Sequence, residues 1–214
     1  EVLQMDIKLY EYGSSRSLRC QWLLKELNLP YESVEDRSLF RSDELKKIHP
    51  LGKMPAAMID GKPLFESSAI CTFIAEQTKH IDLIAEQGTW SRAQHDQWVC
   101  FNLSELEAWV CFNLSELEAW LWSSVVNTFI LPESERLAEC IPQNEKMFKK
   151  GALVIDEYLS DHNYFIENRF TVTDIIIGYT LNWARRKRLT EDFLSISAYL
   201  ERLFAREHCV LPQD

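Results

Sequence analysis

The stretch Lys53-Met-Pro-Ala-Ala-Met-Ile-Asp-Gly61-Lys-Pro-Leu-Phe-Glu-Ser67 decides how this chain is read. Met54, Ala56, Ala57, Met58 and Ile59 form a strand-like run that Pro55 interrupts. A proline within a strand belongs at an edge or a bulge. The backbone beside it is then expected to keep amide and carbonyl groups free, as a site for an extended peptide requires. Asp60-Gly61 is a hairpin signal that brings the chain back as a second strand. Glu66 and Ser67 mark a strand-to-helix junction, and the helix runs from Ser67 to about Thr78. Ser67 reads as an N-cap with bare amides behind it, a seat for a carboxylate. The pair of signals describes a docking site for a small peptide carrying its own carboxylate and amine. The plainer reading is an edge strand followed by an ordinary capped helix.

Upstream, residues 6–11 alternate polar and apolar and read as a half-buried strand. Residues 16–28 carry Leu18, Trp22, Leu23 and Leu27 at helical spacing, followed by a strand at 31–35 and a short helix at 41–48. The order is β-α-β-α-β-β-α, a thioredoxin-like α/β arrangement. Residues 79–88 read as a linker. After Gly88 strand signals stop, and amphipathic helices are expected over 89–124, 134–160, 171–187 and 191–206. Phe170-Thr171-Val-Thr-Asp174-Ile175 carries a capping box with apolar neighbours for a staple, a folding signal rather than a catalytic one.

Taken together, Pro55, the Glu66-Ser67 pair and their spacing resemble the glutathione-binding half of the cytosolic glutathione transferases, and the resemblance extends over nearly the whole chain. It implies a thioredoxin-like domain over 1–78, a linker over 79–88 and an all-α helical bundle over 89–214. It implies a cis peptide at Pro55, a Met54 backbone paired with the cysteinyl part of glutathione, and Glu66 and Ser67 on the γ-glutamyl end. Lys53 is a flexible point charge within reach of the glycyl carboxylate. His49 can assist there, or serve only the turn before Pro50.

The loop Tyr12-Gly-Ser-Ser-Arg-Ser17 leads into the first helix. A hydroxyl beside helix N-terminal amides can donate to an anion, and in the family that anion is the glutathione sulfur. A free thiol has a pKa of about 8.5, and each unit of depression corresponds to about 1.36 kcal/mol of preference for the thiolate. Counting back from the helix, Ser14 matches the catalytic serine of the serine-type classes, as in a bacterial member; Ser15 is its rival, and Ser17 reads as the N-cap. Cys20 lies inside the helix and reads as core. The acceptor pocket should be apolar, with Tyr12, Leu39, Phe40 and Trp109 or Trp120 as candidates. The implied activity is conjugation of glutathione to a small hydrophobic electrophile by a homodimer. A non-catalytic binding protein like the stringent starvation proteins, or a glutathione-dependent peroxidase, isomerase or dehalogenase, are the alternatives.

Composition sets outer bounds. Of 214 residues, 46% are hydrophobic, which fits an ordered globular chain. Residues 1–78 hold 10 basic and 12 acidic side chains, leaving 13 and 21 for 79–214. An acidic second half argues against nucleic-acid binding. Arg185-Arg-Lys-Arg188 is read as a solvated helix end. No apolar run approaches the roughly 20 residues of a membrane span. The six cysteines lack metal-ligand spacing and read as reduced thiols of a cytoplasmic protein that holds no metal. Met5 reads as a natural start, with Glu1 to Gln4 as an upstream remnant, and no signal peptide is apparent.

One feature departs from the family. Residues 98–108 (Trp-Val-Cys-Phe-Asn-Leu-Ser-Glu-Leu-Glu-Ala) recur unchanged at 109–119. Eleven residues turn a helix by about 1100°, roughly 20° past three turns, so a copy keeps the apolar face in phase. Relatives use this helix for dimer contacts and for one pocket wall, and the duplication bears on both.

Overall fold

A computed structural model of the chain describes residues 5–13, 15–78, 82–103 and 118–213, with only the backbone of 103, 118–120 and 122. Ser14, Trp109, the side chain of Trp120 and most of the tandem copies at 98–108 and 109–119 lie outside the described residues. Two compact units emerge, Glu1–Ala85 with Arg206–Gln213, and Glu86–Ala205.

The first unit runs β1 (Ile7–Tyr10), α1 (Ser17–Glu26), β2 (Glu32–Val34), a 3-10 turn (Arg37–Leu39), α2 (Asp43–Lys46), β3 (Ala56–Ile59), β4 (Lys62–Phe65) and α3 (Ser67–Gln77). Its sheet order is β2-β1-β3-β4. β1 pairs with β2 in parallel across the α1 crossover and with β3 antiparallel, and β3 pairs antiparallel with β4. Asp60 and Gly61 both take positive φ, 50° and 74°, the two-residue turn that suits the twist of a hairpin. This is the expected thioredoxin-like arrangement.

The edge-strand reading of Pro55 needs correction. β3 is an inner strand, and Pro55 stands one residue before it, where no ladder hydrogen bond is required of its nitrogen. The proline that does sit in an edge strand is Pro63, opposite Met58 in β4. Strand alternation also ends early, because Tyr10 and Glu11 are both buried. Tyr10 packs with Leu45, Ile48, Met54 and Ala56, a cluster that seats α2 on one face of the sheet. On the opposite face α1 and α3 pack together. The tail groups with this unit, since Arg206 grips Glu26 through Nε and Nη2, both at 2.8 Å.

The second unit holds α4 (Trp90–Leu103), α5 (Glu118–Val125) running into a π-helical turn (Val126–Ile130), then α6 (Cys140–Asp161), α7 (Val172–Arg186) and α8 (Leu194–Phe204). α6 begins six residues later than position 134, because Pro142 is tolerated only in a helix's first turn. α7 is buried on nearly every side from Val172 to Ala184, the signature of a central helix. Its capping box is present as expected, with Thr171 as N-cap and Asp174 reaching back. Asp174 is fully buried and accepts from the Phe165 and Thr171 amides (3.2 and 2.8 Å) and from the Thr171 and Tyr199 hydroxyls (3.1 and 3.0 Å). Among the described residues no helix is long and apolar enough to cross a membrane.

Candidate functional site

The entry to α1 is held by two hydroxyls. Ser15 Oγ accepts from the Ser17 amide at 3.2 Å and lies 2.9 Å from Ser17 Oγ, which in turn accepts from the Tyr12 amide at 3.2 Å. Ser17 is the first helical residue rather than the N-cap, a position that Arg16 occupies, and Ser15 Oγ takes up the Ser17 amide. The reason is a tight turn, in which Ser15 and Leu18 amides bond back to the Tyr12 and Ser15 carbonyls. Tyr12 is 37% exposed, with the Arg37 guanidinium 5.7 Å from its ring centroid. Of the other pocket candidates, Leu39 packs against the Tyr10–Met54 cluster, while Phe40 is exposed.

The loop between α2 and β3 is set by Gly52. It adopts φ +58°, and a Cβ there would stand 2.7 Å from Arg41 Cα. Only glycine permits the Arg41 amide to reach the Gly52 carbonyl at 2.9 Å. This crossing leads directly into Lys53, whose side chain is exposed, and Met54, which is buried. The Met54–Pro55 peptide is cis, as the resemblance implies. Among the described residues the Met54 amide and carbonyl enter no loop or turn hydrogen bond. His49 is a turn residue: its Nδ1 accepts from the Leu51 amide at 3.1 Å and its carbonyl from Gly52 at 2.7 Å. Burial lowers the His49 pKa and Lys53 lowers it further, against the pull of the Glu66 carboxylate.

The N-cap expected at Ser67 lies one residue earlier. Glu66 is the N-cap of α3, at φ 68° and ψ 117°, and Ser67 is the first helical residue. Ser67 is buried, and its Oγ accepts from Arg19 Nη1 at 3.0 Å. That guanidinium, fully buried in the first turn of α1, joins the starts of α1 and α3. Arg19 and Gly52 escape a motif reading. The signal for Arg19 was its place among Trp22 and Leu23 on the buried face of α1. Cys20 is core: a hydrogen bond from Cys71 and burial push its thiol well above the usual range.

Electrostatically the site is favourable to a small zwitterion. A buried guanidinium and the open amides of an 11-residue helix favour a carboxylate near Ser67. The exposed Glu66 carboxylate offers a partner for an ammonium, and Lys53 a second cation.

Known proteins share this plan. Residues 5–76 match the profile described as Glutathione S-transferase, N-terminal domain, and residues 117–207 that of Glutathione S-transferase, C-terminal domain. The chain is 23% identical to Glutathione S-transferase 1 of Saccharomyces cerevisiae over 219 residues, covering 94% of this chain and 91% of the relative. It is 23% identical to Probable elongation factor 1-gamma 2 of Arabidopsis thaliana, covering 77% of this chain and 36% of that protein. The structure of glutathione transferase URE2P8 from Phanerochaete chrysosporium with oxidized glutathione superposes with a TM-score of 0.79 at 18% identity, covering 95% of this chain and 91% of the other. With both halves matched in order and the fold in agreement, the chain belongs to the glutathione S-transferase family.

Proposed function

We propose that the chain binds glutathione and transfers its sulfur to a small hydrophobic electrophile. The observation that carries this reading is the Arg19–Ser67 contact at the start of α3, 3.0 Å long and buried, behind the strained Glu66. The γ-glutamyl carboxylate would sit at Ser67 and the α3 amides, its ammonium at Glu66, the cysteinyl backbone along Met54 and the glycyl carboxylate near Lys53. The thiol then meets the loop before α1. Ser15 Oγ is engaged with Ser17, which favours the neighbouring Ser14 as the donor to the sulfur. Catalysis rests on thiolate stabilisation and on proximity to the acceptor, with Tyr12, Leu39, Phe40 and Trp109 proposed along the acceptor side.

The ultraviolet thiolate band of bound glutathione, followed against pH, tests this assignment. A hydrogen bond to a charged group contributes about 1.5–3 kcal/mol, so Ser14→Ala should raise the thiol pKa by roughly one to two units. Ser15→Ala should instead lower stability by about 1 kcal/mol through loss of its hydrogen bond from the Ser17 amide. An unchanged thiol pKa in Ser14→Ala removes that residue from the role.

The similarity to an elongation factor supports a second reading, a glutathione transferase fold used as a binding module. Failure to be retained on glutathione immobilised at millimolar density, with no free competitor present, would favour it. A peroxidase, isomerase or dehalogenase would use the same thiolate, and a substrate panel separates them from conjugation. Sedimentation of the intact chain tests the proposed homodimer.

A further inference from the structure

Within the helical unit a cavity of about 390 Å³ opens between the end of α6 and one face of α8. Its volume lies in the range of small-molecule sites. The two helices run alongside in the same direction, with Asp156 accepting from the Ile196 amide at 2.8 Å and the Asn163 carbonyl, just past the end of α6, accepting from Arg202 in the last turn of α8 at 3.2 Å. Asp161 lines the α6 side and Arg202 the α8 side, yet neither forms an ion pair among the described residues, with each other or elsewhere.

The polar groups are pre-set. Arg202 Nη2 donates to the Asn163 carbonyl at 3.2 Å, its guanidinium lies 5.9 Å from the Tyr199 ring centroid, and its buried Nε has no partner. His162 stacks on Tyr158 with ring centroids 4.2 Å apart and planes 2° from parallel, and its Nδ1 donates to the Tyr158 carbonyl at 2.9 Å. Between these charges lie Leu159, Ala198 and Leu194, the last 81% exposed at the rim. Ser195 adds a hydroxyl beside Leu194 on the same face of α8.

From this geometry we infer a second ligand site, for a free α-amino acid with an apolar side chain. Its carboxylate pairs with Arg202 and Ser195, its ammonium with Asp161, and its side chain covers Leu159, Ala198 and Leu194. Neither a simple anion nor a simple amine satisfies both unpaired charges, whereas an α-amino acid carries both on one carbon.

The test is titration of the full chain, saturated with glutathione to occupy the first site, with L-phenylalanine, 3-phenylpropionate and phenethylamine. Amide NMR shifts at 159–163 and 194–202 report the location. Phenylalanine should bind at millimolar concentration or better, and each truncated probe about tenfold or more weakly, the scale of one charge-assisted hydrogen bond. R202Q should erase the preference for phenylalanine over phenethylamine, and D161N the preference over 3-phenylpropionate. A198F, at an exposed position, should block all three with an unchanged melting temperature. Equal binding of phenylalanine and 3-phenylpropionate overturns the proposal, as does no shift with millimolar phenylalanine or binding that survives A198F.

Discussion

Replacing Glu66 by glycine separates the strain at the candidate site from its chemistry. Glu66 holds φ 68° and ψ 117° at the N-cap of α3, a conformation that costs a residue with a Cβ about 1–3 kcal/mol. Its side chain is exposed and enters no ion pair among the described residues, so little is lost with it. Glycine removes the strain but returns about 0.4–1 kcal/mol of entropy to the unfolded chain. The net expectation is a gain of about 1 kcal/mol for Glu66→Gly. Glu66→Ala keeps the Cβ and should stay within about 0.5 kcal/mol of the parent, as surface substitutions do. Urea unfolding with an unchanged m-value measures both. Glutathione affinity should move the other way: each variant loses the proposed ammonium partner and should bind about tenfold more weakly, or about 1.4 kcal/mol. A glycine variant less stable than the alanine variant would refute the strain argument. An alanine variant with parental affinity would refute the assigned contact while leaving the strain intact.

Gly52→Ala places a Cβ 2.7 Å from Arg41 Cα at φ +58°. Left-handed strain of about 1–2 kcal/mol and loss of the Arg41–Gly52 hydrogen bond, about 1 kcal/mol, predict a destabilisation of roughly 3 kcal/mol in urea, with weaker retention on immobilised glutathione. Parental stability would show that the loop yields more easily than its geometry implies. In the helical unit, burial raises the Asp174 carboxyl to about 6, against the four donors that favour its ionised form. The folded value lies above the unfolded value of about 3.9, so the unfolded state releases its proton first and this group lowers stability as pH rises. The window runs from about 4 to about 6, and at about 1.36 kcal/mol per unit the loss is roughly 3 kcal/mol. Asp174→Asn lacks that titration, so the stability of the parent relative to the variant should decline by that amount across the window. A difference that stays flat with pH would contradict it.

The order of elements in the first unit was legible because local signals agreed with one another. Alternation marks β1, Asp60-Gly61 turns the hairpin, and Ser42 caps α2 through the Leu45 amide, as its residue type favours. The capping box at Thr171 and Asp174 was legible for the same reason, since both of its partners lie within four residues. A single local rule misleads where its context is missing. Proline is excluded from ladder positions, but that rule does not distinguish an edge or a bulge within a strand from the residue just before one, which is where Pro55 stands. Ser17 and Ser67 have the residue type of an N-cap, yet each is the first residue of its helix, because a turn or a positive φ precedes it.

The candidate site is legible in the residues proposed to face a ligand and hidden in those that hold them. Lys53, Met54, Glu66 and Ser67 stand where the resemblance draws attention. Arg19 does not, because a charged side chain on a helix ordinarily reads as solvated, whereas here it is buried with Ser67 Oγ accepting from its guanidinium. Glu66 gives no conformational warning either, since glycine or asparagine is the expected occupant of positive φ. Both residues oppose local preference, one by burying a cation and the other by adopting a strained backbone. Such opposition persists when the surrounding fold over-determines it, and here α1 and α3 supply that constraint by packing against each other with their starts joined. The residues least predictable from local rules are thus the ones that give the motif its geometry. A reading from sequence reaches this candidate site through the residues proposed to bind the ligand, and the supporting ones only through long-range contacts.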